Sequence, residues 1–142
     1  MLNSQEKHRD GTHARVDGGV ATFRWAPCAC NVTATLGDVF DANIGDSSTR
    51  TWEVVILGAA LWDALHVRSV ETYARDVRAL AAKLAAIRDF NNAERRKKSA
   101  SFFWLAAPRV RDDALIDPAK RAHLPDATVA AYGAAASNTP GL

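Results

Sequence analysis

Apolar residues along this chain fall into two patterns, and their order is that of an α/β unit. Val54-Val55-Ile56-Leu57 is a short uninterrupted apolar run, closed by the small residues Gly58-Ala59-Ala60. From Ser69 to Arg88 the apolar positions are Val70, Tyr73, Val77, Leu80, Leu84 and Ile87, separated by alternating threes and fours. Arg75, Asp76, Arg78, Lys83 and Arg88 fall off that stripe, which predicts a helix lying on a sheet. A second apolar run, Phe102 to Leu105, ends before Pro108. Strand, small-residue turn, helix and strand make one βαβ unit. The continuous apolar character of both runs predicts parallel strands buried on both faces.

Outside this unit the signals are shorter. Val20 to Trp25 reads as a strand stopped by Pro27, and Asn31 is placed to cap a helix carrying Val32, Leu36, Val39 and Phe40. Residues 41–51 and the basic stretch 89–100 read as loops. Arg109 to Leu124 reads as irregular, with Asp117-Pro118 and Leu124-Pro125 as breakers, and Asp126 as the cap of a last helix containing Val129, Ala130 and Tyr132. Residues 1–19 are charged and glycine-rich with no hydrophobic period and read as a flexible segment. The domain is then 20–137, with 138–142 as a tail.

Composition narrows the functional classes. A chain of 142 residues is read as one domain, able to bury roughly 68–70% of its unfolded surface. Its 48% hydrophobic and 24% charged content is ordinary for a globular protein. The net charge is +2, and the basic cluster Arg95-Arg96-Lys97-Lys98 is read as a solvated loop. Without a broader basic stripe or an interleaved aromatic module, a nucleic-acid partner is not expected. No apolar run approaches the roughly 18 residues of a membrane span, so no membrane contact is expected of this segment itself. Taken as written, the chain reads as a soluble intracellular protein. Cys28 and Cys30 are the only cysteines. With no supporting histidine cluster, no metal is expected, and the residues read as free thiols or as one thiol paired outside this chain. No cofactor is expected either, since no Gly-rich phosphate loop is present. Asn31-Val32-Thr33 matches a glycosylation sequon, which matters only in the secretory pathway.

Two short motifs look catalytic. Gly45-Asp46-Ser47 spells the nucleophile block of GDSL-type hydrolases, and Asp63-Ala64-Leu65-His66 spells an Asp-x-x-His. A triad would use His66 to deprotonate Ser47 and Asp63 to orient His66. Position argues against it. Ser47 lies before the amino end of the strand ending at Leu57, and His66 follows its carboxyl end, which is roughly 20 Å away at about 3.3 Å per residue. Ser47→Ala is therefore expected to change no esterase activity.

Taken together, Val54 to Trp62, the helix with Tyr73, the strand Phe103-Trp104-Leu105 and the helix Tyr132-Gly133-Ala134-Ala135-Ala136 stand in a familiar order. Phe23-Arg24-Trp25-Ala26-Pro27 with Asn31 matches the segment upstream. This order resembles the amino-terminal, luminal SGNH/PC-esterase-like domain of the Cas-type polysaccharide and sialate O-acetyltransferases, over about Phe23 to Ser137. The resemblance implies an α/β fold with a three-layer flavodoxin-like (SGNH-hydrolase-like) parallel sheet, here incomplete. It implies acetyl transfer from an acyl donor to the hydroxyl of a sugar or glycan acceptor, in a Golgi membrane setting when the full-length protein adds its membrane helices.

The family's serine block precedes the matched stretch and its Asp-x-x-His follows it, so neither is carried onto this chain. The chain as given is expected to be catalytically silent. What the resemblance leaves is a substrate pocket at the sheet's carboxyl edge, with Gly58, Ala59, Trp62, Asp63 and Arg109 as candidates. The backbone N–H groups of Gly58 and Ala59 would contribute to an oxyanion hole. Asp63 is also the natural cap for the helix that follows it. Two other readings stand beside this one: a small GDSL-type esterase using Ser47, Asp63 and His66, and a non-catalytic binding or interaction module.

Overall fold

A computed structural model describes residues 11–16, 19–41, 53–93 and 100–142. The fold is α/β. A short antiparallel hairpin, β1 (Gly11–Val16) with β2 (Gly19–Phe23), leads into α1 (Ala29–Asp41). Then come β3 (Val54–Leu57), a wide π-type turn (Asp63–Val67), α2 (Val70–Ala93) and β4 (Ser101–Trp104). The chain ends in α3 (Pro118–His123) and α4 (Asp126–Ser137).

The βαβ unit forms as the hydrophobic pattern predicts. β3 and β4 pair in parallel with Val54 opposite Ser101 and Leu57 opposite Trp104, and the Leu105 N–H extends the ladder to the Leu57 carbonyl at 2.7 Å. On α2, Tyr73, Val77, Leu80, Leu84 and Ile87 are all buried, so the stripe of threes and fours is its core face. The helix continues past Arg88 to Ala93 and buries Asn91, five residues into the stretch read as a loop. Val32 and Leu36 of α1 pack on Leu80 and Leu84 of α2, with Val55, Leu57 and Phe102 against them. Phe40 leans on Phe102 at 5.7 Å between ring centroids, and the Arg88 guanidinium lies over the same ring.

The expectation of two buried sheet faces is corrected. Side chains alternate across a strand. Val55, Leu57, Phe102 and Trp104 are half-buried on the helix-covered side. Val54, Ile56, Phe103 and Leu105 lie on the other side and are 53%, 62%, 55% and 61% exposed. Both helices of the apolar seam therefore sit on one face of the described sheet.

Three local readings also change. β1 forms within the stretch 1–19 that shows no hydrophobic period. Val16 of β1 pairs with Gly19 of β2. Asp117-Pro118 does not break a helix but begins one. The Asp117 carboxylate accepts from the Ala119 N–H at 2.9 Å and the Lys120 N–H, with Pro118 at the first helical position. The end of the chain is packed: Thr139 is buried, and Leu142 lies against both core clusters.

Candidate functional site

The carboxyl end of β3 runs into Gly58-Ala59-Ala60 and then the wide turn, and Asp63 is the centre of what assembles there. Asp63 is 1% exposed. Its carboxylate accepts from the Ala60 N–H at 3.3 Å and, with both oxygens, from the Ala29 N–H at 3.3 Å. Ala29 is the first residue of α1. Asp63 was expected to cap the helix that follows it; instead it caps one that begins 34 residues earlier in the chain, supplying negative charge where that helix's N–H groups are unpaired. Asn31, expected to cap α1, lies inside its first turn.

Burial pushes the Asp63 carboxyl above its ordinary range, and the backbone N–H groups of Ala29, Ala60 and Asp63 itself only partly offset this. Two tyrosines pack in the same buried cluster as Ala60 and Ala64. The Tyr73 and Tyr132 rings meet at 5.0 Å between centroids, and both are buried. The Tyr73 hydroxyl has no hydrogen-bond partner among the described residues. Burial first, then the nearby Asp63 charge, raises both phenols, so both stay neutral.

The backbone around Asp63 is unusual. Ala60 adopts φ 113°, a region that non-glycine residues rarely enter, while its methyl is packed in the core and its carbonyl accepts from the Ala64 N–H at 2.8 Å. The turn ends at Arg68, in the left-handed region at φ 58°, whose N–H reaches back five residues to the Asp63 carbonyl at 2.8 Å. Such wide turns place residues four apart on one side. Trp62 and His66 consequently stack, with ring centroids 4.1 Å apart, and Trp25 meets Trp62 edge-on at 5.6 Å. His66 is exposed, and both tryptophans are half-buried.

The predicted site residues are thus only partly gathered. Gly58, Ala59, Trp62 and Asp63 lie together, with Gly58 exposed and so close to Leu105 that an added Cβ would stand 3.2 Å from the Leu105 Cβ. Asp63 and His66 do not pair: the carboxylate is turned inward to backbone N–H groups, and the imidazole is turned outward onto Trp62. Ser47 and the Arg95–Lys98 cluster lie outside the described residues.

Arg109, a candidate for the substrate pocket, donates to Asp126 at 2.8 Å. Asp126 in turn is not the cap of α4 but its first residue. It reaches back to Arg109 and to the Val110 N–H, which together hold its carboxyl below the usual range. Asn31 is exposed, and its Oδ1 accepts the Cys28 thiol at 2.6 Å. Local desolvation, then the adjacent Cys28 and the Asp76 charge, push the Cys30 thiol up to about 11, which leaves it protonated and a poor nucleophile at neutral pH.

Trp25, Tyr73 and Tyr132 are the members of this edge that sequence reasoning did not assign to a site. Tyr73 and Tyr132 were legible only as apolar positions on helices, and nothing in the spacing of Trp25 and Trp62 announces that they touch. Comparison with protein-family models, curated proteins and solved structures found no match for this chain.

Proposed function

We propose that this chain is part of an SGNH-like, three-layer flavodoxin-like domain related to the carbohydrate O-acetyltransferases. In this reading it supplies the scaffold and a sugar-facing wall, not the acyl-transferring triad. The observation that carries the reading is the parallel β3–α2–β4 crossover, whose carboxyl end bears a small-residue turn beside the Trp25–Trp62–His66 ring cluster. Ligands of open parallel sheets bind at that end of the strands. Aromatic faces with a polar neighbour suit the C–H faces and hydroxyls of a sugar ring. The acyl donor and the Golgi setting follow from the family resemblance and belong to the whole protein.

The GDSL-type esterase reading is disfavoured by one geometric fact. Orienting a histidine requires a carboxylate at its Nδ1, and both oxygens of Asp63 are committed to the backbone. A non-catalytic interaction module keeps support from the exposed apolar side of the sheet.

One pair of measurements on the purified chain tests the proposal: hydrolysis of a short acyl ester, and the tryptophan fluorescence response to neutral and acidic monosaccharides. We expect no hydrolysis that Ser47→Ala abolishes, and a saturable sugar response that Trp62→Ala removes. Ser47-dependent hydrolysis would establish the esterase instead. A fluorescence trace flat for every sugar would leave the interaction module.

A further inference from the structure

The open side of the β3–β4 sheet is a surface that the proposed function does not use. The parallel register sets its positions out in rows, with Val54 beside Ser101, Ile56 beside Phe103 and, one step beyond, Gly58 against Leu105. All six residues are exposed and none is charged. More than half of each large side chain stays open to solvent. Parallel strands joined by a crossover helix are ordinarily covered on both faces, so this face calls for an occupant.

The chain itself has little to lay on it. The helices α1 and α2 are engaged on the opposite side of the sheet, around Val55, Leu57 and Phe102. Residues 1–10, 17–18, 42–52 and 94–99 lie outside the described residues, and their large apolar members are Met1, Leu2, Ile44 and Trp52. Four residues so scattered make no apolar stripe.

Area and shape point to a second copy. Val54, Ile56, Phe103 and Leu105 together expose roughly 400 Å² of apolar side chain, the size of patch that marks an interaction site. Interfaces are about 60% apolar, so that patch is the apolar share of roughly 650 Å² per partner. Two copies would then bury about 1,300 Å², within the range of stable complexes.

The large side chains run from Val54 through Ile56 and Phe103 to Leu105, and the small Ser101 and Gly58 hold the two opposite corners. A second copy turned over about a two-fold axis along the strands sets Val54 over the partner's Ser101. The same rotation sets Leu105 over the partner's Gly58 and Ile56 against the partner's Phe103. Large side chains thus meet small ones, as when two sheets pack face to face. Because the face is uncharged, the symmetry brings no like charges together.

We propose that this chain forms a two-fold symmetric dimer through the open face of β3–β4, with Ile56 and Phe103 at its centre. The Trp25–Trp62–His66 cluster takes no part, so a failed sugar titration leaves the dimer standing.

The test is sedimentation equilibrium of the full chain from low to high micromolar concentration, kept reduced so that no disulfide joins two copies. The mass should climb from 15.3 kDa to twice that value and stop, and the Tm should rise with concentration. Ile56→Lys and Phe103→Glu should each weaken association about thirtyfold or more. Ile116→Lys, at a site 91% exposed and off the sheet, should leave it unchanged. Ser101→Glu, on the exposed rim, gives the same answer as the apolar substitutions should either of those unfold the chain. A monomer at every concentration would overturn the proposal and leave the face to a longer polypeptide or a different partner. A dimer indifferent to the substitutions on the sheet, or one lost with Ile116→Lys, would overturn it as well. So would a mass that keeps growing past two copies, which is open-ended association and not a closed two-fold pair.

Discussion

Two regions of this molecule bury side chains by opposite means. In the seam between α1 and α2, Val32, Leu36, Leu80 and Leu84 meet with no polar atom among their side chains. At the carboxyl edge of β3, Ala60, Tyr73 and Tyr132 surround a buried carboxylate. The seam depends on area removed from water, which is non-directional and tolerates small shifts. The edge depends on hydrogen bonds with fixed partners, where a buried group left unmade costs more than a made one contributes. Regular periodicity specifies the first kind of packing. The second is built by groups far apart in the chain.

The largest effect that would sharpen this comparison is in the seam. Leu80→Ala should lower unfolding free energy by about 2–5 kcal/mol, since Leu80 is fully buried and flanked by helices that collapse poorly into a cavity. Urea denaturation measures it, and a cost below the bottom of that range would mean the seam is loosely packed.

Next comes the edge. Asp63→Ala leaves the Ala29 and Ala60 N–H groups without their acceptor and should cost about 1–3 kcal/mol. A pH series with Asp63→Asn tests the electrostatics. The folded carboxyl titrates above the ordinary 3.8. Its ionisable contribution is therefore complete below that value and is lost as pH rises through the raised folded pKa. The stability advantage of wild type over Asp63→Asn should accordingly be greatest in acid and shrink upward from there. An advantage that grows with pH would mean that the hydrogen bonds from Ala29 and Ala60 outweigh burial.

The smallest effect distinguishes a polar group that holds the edge together from one that is merely enclosed by it. Tyr73→Phe keeps the ring against Tyr132 and removes a hydroxyl with no partner among the described residues. Stability should be unchanged or rise by up to about 1 kcal/mol. A clear loss would reveal a hydrogen bond at that hydroxyl and make the edge a connected network from Asp63 to Tyr73.

The difference between the regions also explains what could be read in advance. The stripe from Val70 to Ile87 was legible because it repeats a local geometry every 3.6 residues and burial follows it; the run from Val54 to Leu57 was legible as a strand, but its unbroken apolar character did not show that only alternate side chains would be covered. Asp63-x-x-His66 was legible as a spacing, but spacing says nothing of which way a carboxylate turns. It turned to the start of α1. Asp117 and Asp126 make the same point in miniature: each precedes or begins a helix, yet one caps it locally and the other reaches back across the surface to Arg109.

The sequence by itself determined the α/β unit: two apolar strands, the amphipathic helix between them and the small-residue turn at the strand's carboxyl end. These follow from short-range periodicity, which any chain with this pattern must satisfy in order to bury its apolar side chains. Only the tertiary structure decided that both seam helices lie on one side of the described sheet, that Asp63 caps α1, and that Trp25, Trp62 and His66 meet. Those outcomes depend on which distant segments come to share a low-dielectric space, where each polar group must find a partner that no local pattern names.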